Sequence, residues 1–282
     1  MKTGALIFAQ NNSSIDYVKM ATFAAKRLQQ YLNIPVSIAT NSKDWLLQSQ
    51  PDHPFDEIIE IVDPSTDNYR RFNDGSLFSK VMDWKNYNRS TVYELSPYDT
   101  TLVIDSDYII NSDFLLPLLR KDDDLQIFKN SVDISGWRST EEYNRINPYS
   151  IDFYWATVFI FKKNKLTDTF FKLITYIKEN WNYFVTLYNI TSPVYRNDFA
   201  FSIAIHIMNG NMSGDFATPI AGNISFVTDR DILISIKDDS MQFLIEKQNY
   251  LGEYTVAKTT GIDVHVMNKS SLNRFIDGGT GV

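Results

Sequence analysis

Thr101-Leu102-Val103-Ile104-Asp105-Ser106-Asp107 decides the reading of this chain. The apolar run reads as a buried strand, and the switch to carboxylates at Asp105 marks its end. In an open α/β sheet, ligands bind beyond the carboxyl ends of the strands. Alternate residues of an extended segment share a face, so Asp105 and Asp107 come near one point. Two hard oxygen ligands of this kind suit Mg²⁺ or Mn²⁺, which fills its other positions with water and substrate phosphates. Asp-x-Asp also bends turns and caps helices, so the spacing alone leaves both readings open.

Upstream, strand and helix patterns alternate. Gly4-Ala5-Leu6-Ile7-Phe8-Ala9 reads as the first strand. Ser13 then precedes a helix whose Ile15, Val18, Ala21, Ala25, Leu28 and Leu32 keep a helical period, and Asn33 ends it. Pro35-Val36-Ser37-Ile38-Ala39 and Ile58-Ile59-Glu60-Ile61-Val62 read as the next strands, with a short helix around Trp45 to Gln48 between them. A β-α-β-α-β start of this kind predicts a parallel sheet. Residues 63–76, with Pro64, Asn68, Asn73, Asp74 and Gly75, read as a loop.

Downstream, Phe114-Leu115-Leu116-Pro117-Leu118-Leu119 predicts a short helix and Leu125-Gln126-Ile127-Phe128 a strand. The polar and aromatic segment 133–150, with Trp137, Arg138, Tyr143 and Tyr149, is either an acceptor loop or a solvated crossing. Residues 167–184 read as one long helix whose Phe170, Phe171, Ile174, Ile177 and Trp181 form a core stripe. Gly278-Gly279-Thr280-Gly281 reads as a flexible end.

With 282 residues and 44% hydrophobic content the chain can bury a substantial core, and one enlarged α/β domain is the expectation. No stretch approaches the ~18 consecutive apolar residues of a membrane span. Met1-Lys2-Thr3-Gly4-Ala5-Leu6 reads as the start of a strand rather than a signal peptide, so a cytoplasmic enzyme is expected. The absence of cysteine excludes disulfides and thiolate chemistry. A net charge of -7 carries no basic footprint for nucleic acid.

The order of the motifs resembles a known family. Phe78-Ser79-Lys80-Val81 with Trp84, then Tyr98-Asp99, the strand and Asp105-Ser106-Asp107 are similar to the sugar-nucleotide-dependent glycosyltransferases of the GT-A type, especially the glycogenin-like family 8 group. There a Lys-bearing helix, a Tyr-Asp turn, a hydrophobic strand and Asp-x-Asp follow in that order. Tyr154-Trp155-Ala156-Thr157-Val158-Phe159 resembles the acceptor-cleft strand, Arg196-Asn197-Asp198 the opening of a later helix, and Val264-His265-Val266-Met267-Asn268-Lys269 a third metal ligand followed by a diphosphate-binding Lys. The chain departs from the pattern at Met267, at Ser270-Ser271, at Asn197 and at Trp155-Ala156-Thr157. The acceptor therefore stays open.

The resemblance implies a GT-A, Rossmann-like fold: a mixed, mostly parallel central sheet flanked by helices. It implies one domain over 1–282, with a nucleotide-sugar half at 1–110 and an acceptor half at 111–282 that ends in the metal and diphosphate segment. Asp105, Asp107 and His265 would hold Mn²⁺ or Mg²⁺. Ala9, Gln10, Asn11, Lys80, Asp105, Ser106 and Lys269 would bind the nucleotide-sugar donor, Trp155, Ala156 and Thr157 the acceptor, and Asn197 and Asp198 would be catalytic. The resemblance implies transfer from a UDP-sugar with retention of configuration. Phage-encoded enzymes of similar look glycosylate hydroxymethylated pyrimidines, which makes phage DNA one candidate acceptor and the host cytoplasm its compartment. A face of Arg70, Arg71, Lys85, Arg89, Arg138, Arg145, Lys162, Lys163 and Lys165 would contact the phosphates.

Plainer roles stand beside these. His265 between two valines also fits a hydrogen-bonded structural His, Lys80 and Lys269 solvated lysines, and Asp198 a helix cap. A metal-dependent phosphodiesterase or nucleotide-sugar hydrolase, and a non-catalytic nucleotide-sugar-binding relative, are the alternative functions.

Overall fold

The computed structural model describes residues 2–62, 68–85 and 87–278. The chain begins β1 (Thr3–Ala9), α1 (Tyr17–Leu32), β2 (Val36–Thr40), α2 (Lys43–Ser49) and β3 (Glu57–Glu60). A hairpin of β4 (Tyr69–Asp74) and β5 (Phe78–Asp83) follows, then a 3-10 turn at Tyr87–Thr91 and the single-turn α3 (Val92–Leu95). Next come β6 (Thr100–Asp105), β7 (Tyr108–Ile109), β8 (Leu125–Phe128), β9 (Asn130–Asp133) and β10 (Trp155–Lys162). Helices α4 (Lys165–Glu179), α5 (Trp181–Leu187) and α6 (Asn197–Met208) lead to β11 (Thr218–Pro219) and β12 (Asn223–Val227). The chain closes with β13 (Ile232–Lys237), β14 (Ser240–Glu246), β15 (Tyr254–Thr260), β16 (Val264–Val266) and α7 (Lys269–Ile276).

The central sheet has the order β11-β8-β10-β6-β1-β2-β3, and only β10 runs against the others. This is the mixed, mostly parallel α/β sheet flanked by helices that the alternating pattern predicts. Its inner strands β8, β10, β6, β1 and β2 are buried along most of their length because helices cover both faces, whereas the edge strand β3 exposes Glu57 and Glu60. α1 forms because Val18, Ala21, Ala25, Leu28 and Leu32 fall on one buried stripe. Its cap is Asp16, three residues past the expected Ser13, and the Asp16 side chain accepts from the Lys19 N–H at 3.0 Å. Asn33 ends it in the left-handed region with φ 49°.

The Tyr98-Asp99 turn has a structural role here. The Tyr98 ring lies across β1 so closely that a Cβ on Gly4 would come within 2.4 Å of it, and its hydroxyl meets Ser37 Oγ at 2.7 Å. Only glycine admits that approach.

Local expectations change in three segments. Residues 69–83 form a hairpin where a loop and then a Lys-bearing helix are expected, because Asp74-Gly75 makes the turn (Gly75 φ 72°) between two pairing strands. Pro64 of that expected loop lies outside the described residues. The helix at 114–119 is a 3-10 turn at Pro117–Arg120, since Pro117 starts rather than continues it. The long helix at 167–184 is two helices, broken at Asn180, whose side chain donates to the Tyr176 carbonyl at 2.9 Å. Of the expected flexible end, Gly279, Thr280 and Gly281 lie outside the described residues.

A second, smaller sheet of order β7-β16-β12-β9 leans on the first. Val264 and Val266 of β16 point into a second core with Phe72, Met82, Leu233, Phe243 and Leu272. β16 pairs with β7, which begins one residue after Asp107, and so carries the C-terminal segment to the end of β6. Among the described residues, no helix is long and apolar enough to cross a membrane.

Candidate functional site

β6 ends at Asp105 between two neighbours whose registers set the site. Phe8 of β1 pairs with Asp105, and Val158 of β10 pairs with Ile104. Gln10 therefore follows on one side, and Thr157, Ala156 and Trp155 on the other. β16 brings His265 opposite Tyr108, and the Val266 N–H donates to the Asp107 carbonyl at 2.9 Å. Because its valine neighbours take the core face, His265 takes the opposite face, toward the carboxylates.

Ligand atoms of Asp105, Asp107 and His265 all lie within 4.8 Å of one another. Trans ligands of a Mg²⁺-sized ion stand ~4.2 Å apart, at ~2.1 Å each, so a small closure would let this set ring a divalent cation. Two carboxylates and an imidazole are donors that Mn²⁺ and Mg²⁺ accept. The residues fit the group.

Each carboxylate also has a protein cation. Lys269, the first residue of α7, donates from Nζ to Asp107 Oδ2 at 2.6 Å, and His265 Nε2 stands 3.3 Å from the same oxygen. Burial alone would raise the Asp107 carboxyl, but the Lys269 ammonium and His265 together hold it well below the usual carboxylate range. Arg89, in the turn before α3, is buried, bonds Asp105 Oδ1 through Nη2, and donates from Nη1 to the Ala156 carbonyl at 2.5 Å. It thereby joins β6 to β10 at the site.

The cleft holds about 170 Å³. Gln10, Ser106, Asp107, Lys269, Thr157 and Asp198 are among its lining. Trp155, Ala156 and Asn197 line it too. The Trp155 ring is only 2% exposed and packs among Tyr143, Phe153 and Phe226, with His265 edge-on at 6.3 Å, so it orients the imidazole. Asp198 does not cap α6, which has Arg196 at its N-cap. Its Oδ1 accepts from the Ala156 N–H at 3.0 Å and its Oδ2 from Arg196 at 2.9 Å.

Three expected donor residues stand apart from this lining. Ala9 is fully buried in the sheet. Asn11 spends its side chain on Asp16 and the Val18 N–H, which fixes the turn into α1. Lys80 sits on exposed β5 and donates to Ser14 Oγ at 2.7 Å, because the strand conformation of 78–83 turns it outward. Lys85 lines the cleft in its stead and donates to the Asn11 carbonyl at 2.8 Å.

The nine cations expected on one phosphate-contacting face do not share one. Lys162 pairs in register with Thr100, at the opposite end of β6 from Asp105. Arg138 is bound between Asp133 and Asp231. Arg89 is inside the cleft. The C-terminal segment is anchored: β16 is paired on both edges, and Asn268, fully buried, caps α7 and donates to the Asp231 carbonyl at 2.8 Å.

Arg70, Lys85, Arg89, Arg196 and Lys269 face three lining carboxylates, Asp105, Asp107 and Asp198. A cationic cleft in a chain of net charge -7 favours an anionic ligand. Sequence reasoning placed Arg89 and Arg70 only on a general basic face and missed Tyr17, whose hydroxyl burial and nearby Asp107 keep protonated.

No family model and no curated protein matches the chain. Among solved structures, the chain is similar to the glycosyltransferase GlyE of Streptococcus pneumoniae TIGR4, at 14% identity over 78% of this chain and 46% of that one, with a TM-score of 0.45. It thus spans about half the length of GlyE. The galactosyltransferase LgtC, solved with donor and acceptor sugar analogs, gives 15% identity, 72% and 70% coverage and a TM-score of 0.43. The bifunctional IspDF of Campylobacter jejuni gives 13%, 73% and 47%, and 0.39. The functional reading rests on the site.

Proposed function

We propose that this chain is a metal-dependent glycosyltransferase of the GT-A type that moves a sugar from a nucleoside diphosphate sugar to a hydroxyl acceptor. The observation that carries this is the convergence of Asp105, Asp107 and His265 with Lys269 at the end of β6, inside a cationic cleft. In this reading 1–282 form one domain, 1–110 presenting the donor site and 111–282 the acceptor site and the metal and diphosphate segment.

A divalent ion, Mn²⁺ or Mg²⁺, held by Asp105, Asp107 and His265 would supply Lewis-acid stabilisation to the departing diphosphate. Lys269 places a fixed ammonium beside the same phosphates. Gln10 and Ser106 offer polar groups to the nucleoside, for which uridine is our candidate. Asp198, held by the Ala156 N–H and Arg196, is a rigid acceptor for a sugar hydroxyl, with Asn197 beside it. Both Asp198 oxygens are engaged, which favours a front-side route. The acceptor oxygen bonds to the anomeric carbon as the bond to the phosphate oxygen breaks; that oxygen keeps the electron pair and takes the acceptor proton. Configuration is retained.

A two-ion hydrolase would require a further carboxylate cluster. Among the described residues, Asp105, Asp107 and His265 form the only group of three or more such ligands. A panel of nucleotide sugars with Mn²⁺, scored by thermal stabilisation, identifies the donor, since a ligand of the folded state raises apparent stability. Free-nucleotide release that depends on added acceptor then separates transfer from hydrolysis. Release at the same rate without acceptor would contradict the proposal.

A further inference from the structure

A second cavity of about 890 Å³ adjoins the cleft, and Arg70, Trp84, Tyr143 and Arg196 line both. Arg70 comes from β4, with its guanidinium 5.0 Å from the Trp84 ring and 5.7 Å from the Phe72 ring. Among the described residues no carboxylate pairs with it. Arg196 stands 4.9 Å from the Phe199 ring and shares one nitrogen with Asp198. Burial and the like charge of Arg196 depress the basicity of Arg70, while the carboxylates of Asp229 and Asp198, neither of them bonded to it, act in the opposite sense. Arg71 and Arg145 line the same second cavity, also without ion-pair partners among the described residues.

A partly buried guanidinium with no carboxylate bonded to it gains when a ligand supplies the charge. Planar guanidinium groups stacked on aromatic rings keep their donor edges for an oxyanion. In the proposed reaction the diphosphate already has Lys269 and the Asp105-Asp107-His265 group, all within the first cavity. We propose that Arg70 and Arg196 form an anion site at the junction of the two cavities that holds a phosphate group of the acceptor. This rests on the glycosyl-transfer reading for the word acceptor; the anion site itself does not. Dianionic phosphate is favoured over a carboxylate because the junction brings two guanidinium groups, with two more along the groove.

Inorganic phosphate is the probe, with acetate as the control, titrated by thermal shift into the free protein and into protein saturated with UDP and Mn²⁺. Phosphate should stabilise both forms and acetate neither. Arg70→Gln should weaken phosphate at least tenfold, weaken UDP less, and leave the unfolding temperature of the ligand-free protein level or higher, since it removes like-charge repulsion. A structural arginine would instead lower that temperature, which would overturn the site. Phosphate binding that vanishes once UDP and Mn²⁺ saturate would assign the arginine pair to the donor diphosphate and overturn the acceptor role. A chain that binds no nucleotide would contradict the proposed function, while the phosphate titration of the free protein still decides the anion site.

Discussion

The inner wall of the cleft and its outer rim treat charge in opposite ways. At the inner wall every carboxylate has a cation: Asp105 has Arg89, and Asp107 has Lys269 and His265. At the rim Arg70, Arg71 and Arg145 stand on aromatic or open surface with no acid paired to them among the described residues. Internal pairing makes the inner wall rigid and preorganised, which suits a group that must stabilise charge developing in a reaction. Cations without partners make the rim receptive, which suits recognition.

Asp107→Asn breaks the inner wall most severely. It keeps the shape but removes the charge that Lys269 and His265 surround, and turnover of the nucleotide sugar should fall by about 10³-fold or more, since one such electrostatic contact is typically worth ~10²–10³ and the ion's affinity falls with it. Steady-state release of nucleotide measures this. Activity within tenfold of wild type would place the chemistry elsewhere.

Arg89→Ala should next unfold the inner wall rather than merely slow it. Removing Arg89 leaves the partly exposed Asp105 without its cation and the Ala156 carbonyl without its donor, a loss of about 1.5–3 kcal/mol in urea denaturation. Arg70→Gln at the rim is the contrast, with no loss. Equal destabilisation by the two variants would erase the distinction between wall and rim.

Lys269→Ala should lower kcat about 10–100-fold with a smaller change in donor KM, if its ammonium acts mainly on charge that grows as the diphosphate leaves. A change confined to KM would make it a ground-state binder.

A smaller effect is expected from Asp263, which precedes β16. Burial pushes its carboxyl up to about 6 from the ordinary 3.8, although it accepts from the Asn111 N–H and Ser112 Oγ. The folded state therefore holds a proton more tightly than the unfolded chain, and this contribution to stability is present at low pH and lost as pH rises through about 6. Between pH 7 and pH 5 wild type should gain roughly 1 kcal/mol relative to Asp263→Asn. Parallel denaturation curves for the two proteins at both pH values would refute the shift.

The parts of this architecture that are local were legible in the chain. The end of β6 shows as an apolar run that stops at a carboxylate, α1 as a 3-4 spacing closed by Asn33, and the face of His265 follows from its two valine neighbours. The hairpin β4–β5 carried a readable signal in Asp74-Gly75, which a count of loop-forming residues obscured. The antiparallel sheet of β13, β14 and β15 carried one too, in the alternation of Met241, Phe243 and Ile245 as buried residues, and it was not read. Arg89 gave no local sign. It sits in a short 3-10 turn, and its role exists only because the end of β6 and the start of β10 lie side by side.

The central claim is that a divalent ion and a nucleotide sugar bind together at Asp105, Asp107 and His265. Calorimetric titration of a UDP-sugar into wild type with Mn²⁺, into chelated wild type and into His265→Ala tests it most directly. The account predicts binding in the first case and a loss of about 100-fold or more in the other two, with the His265→Ala protein still folded. Equal affinity in all three would contradict it.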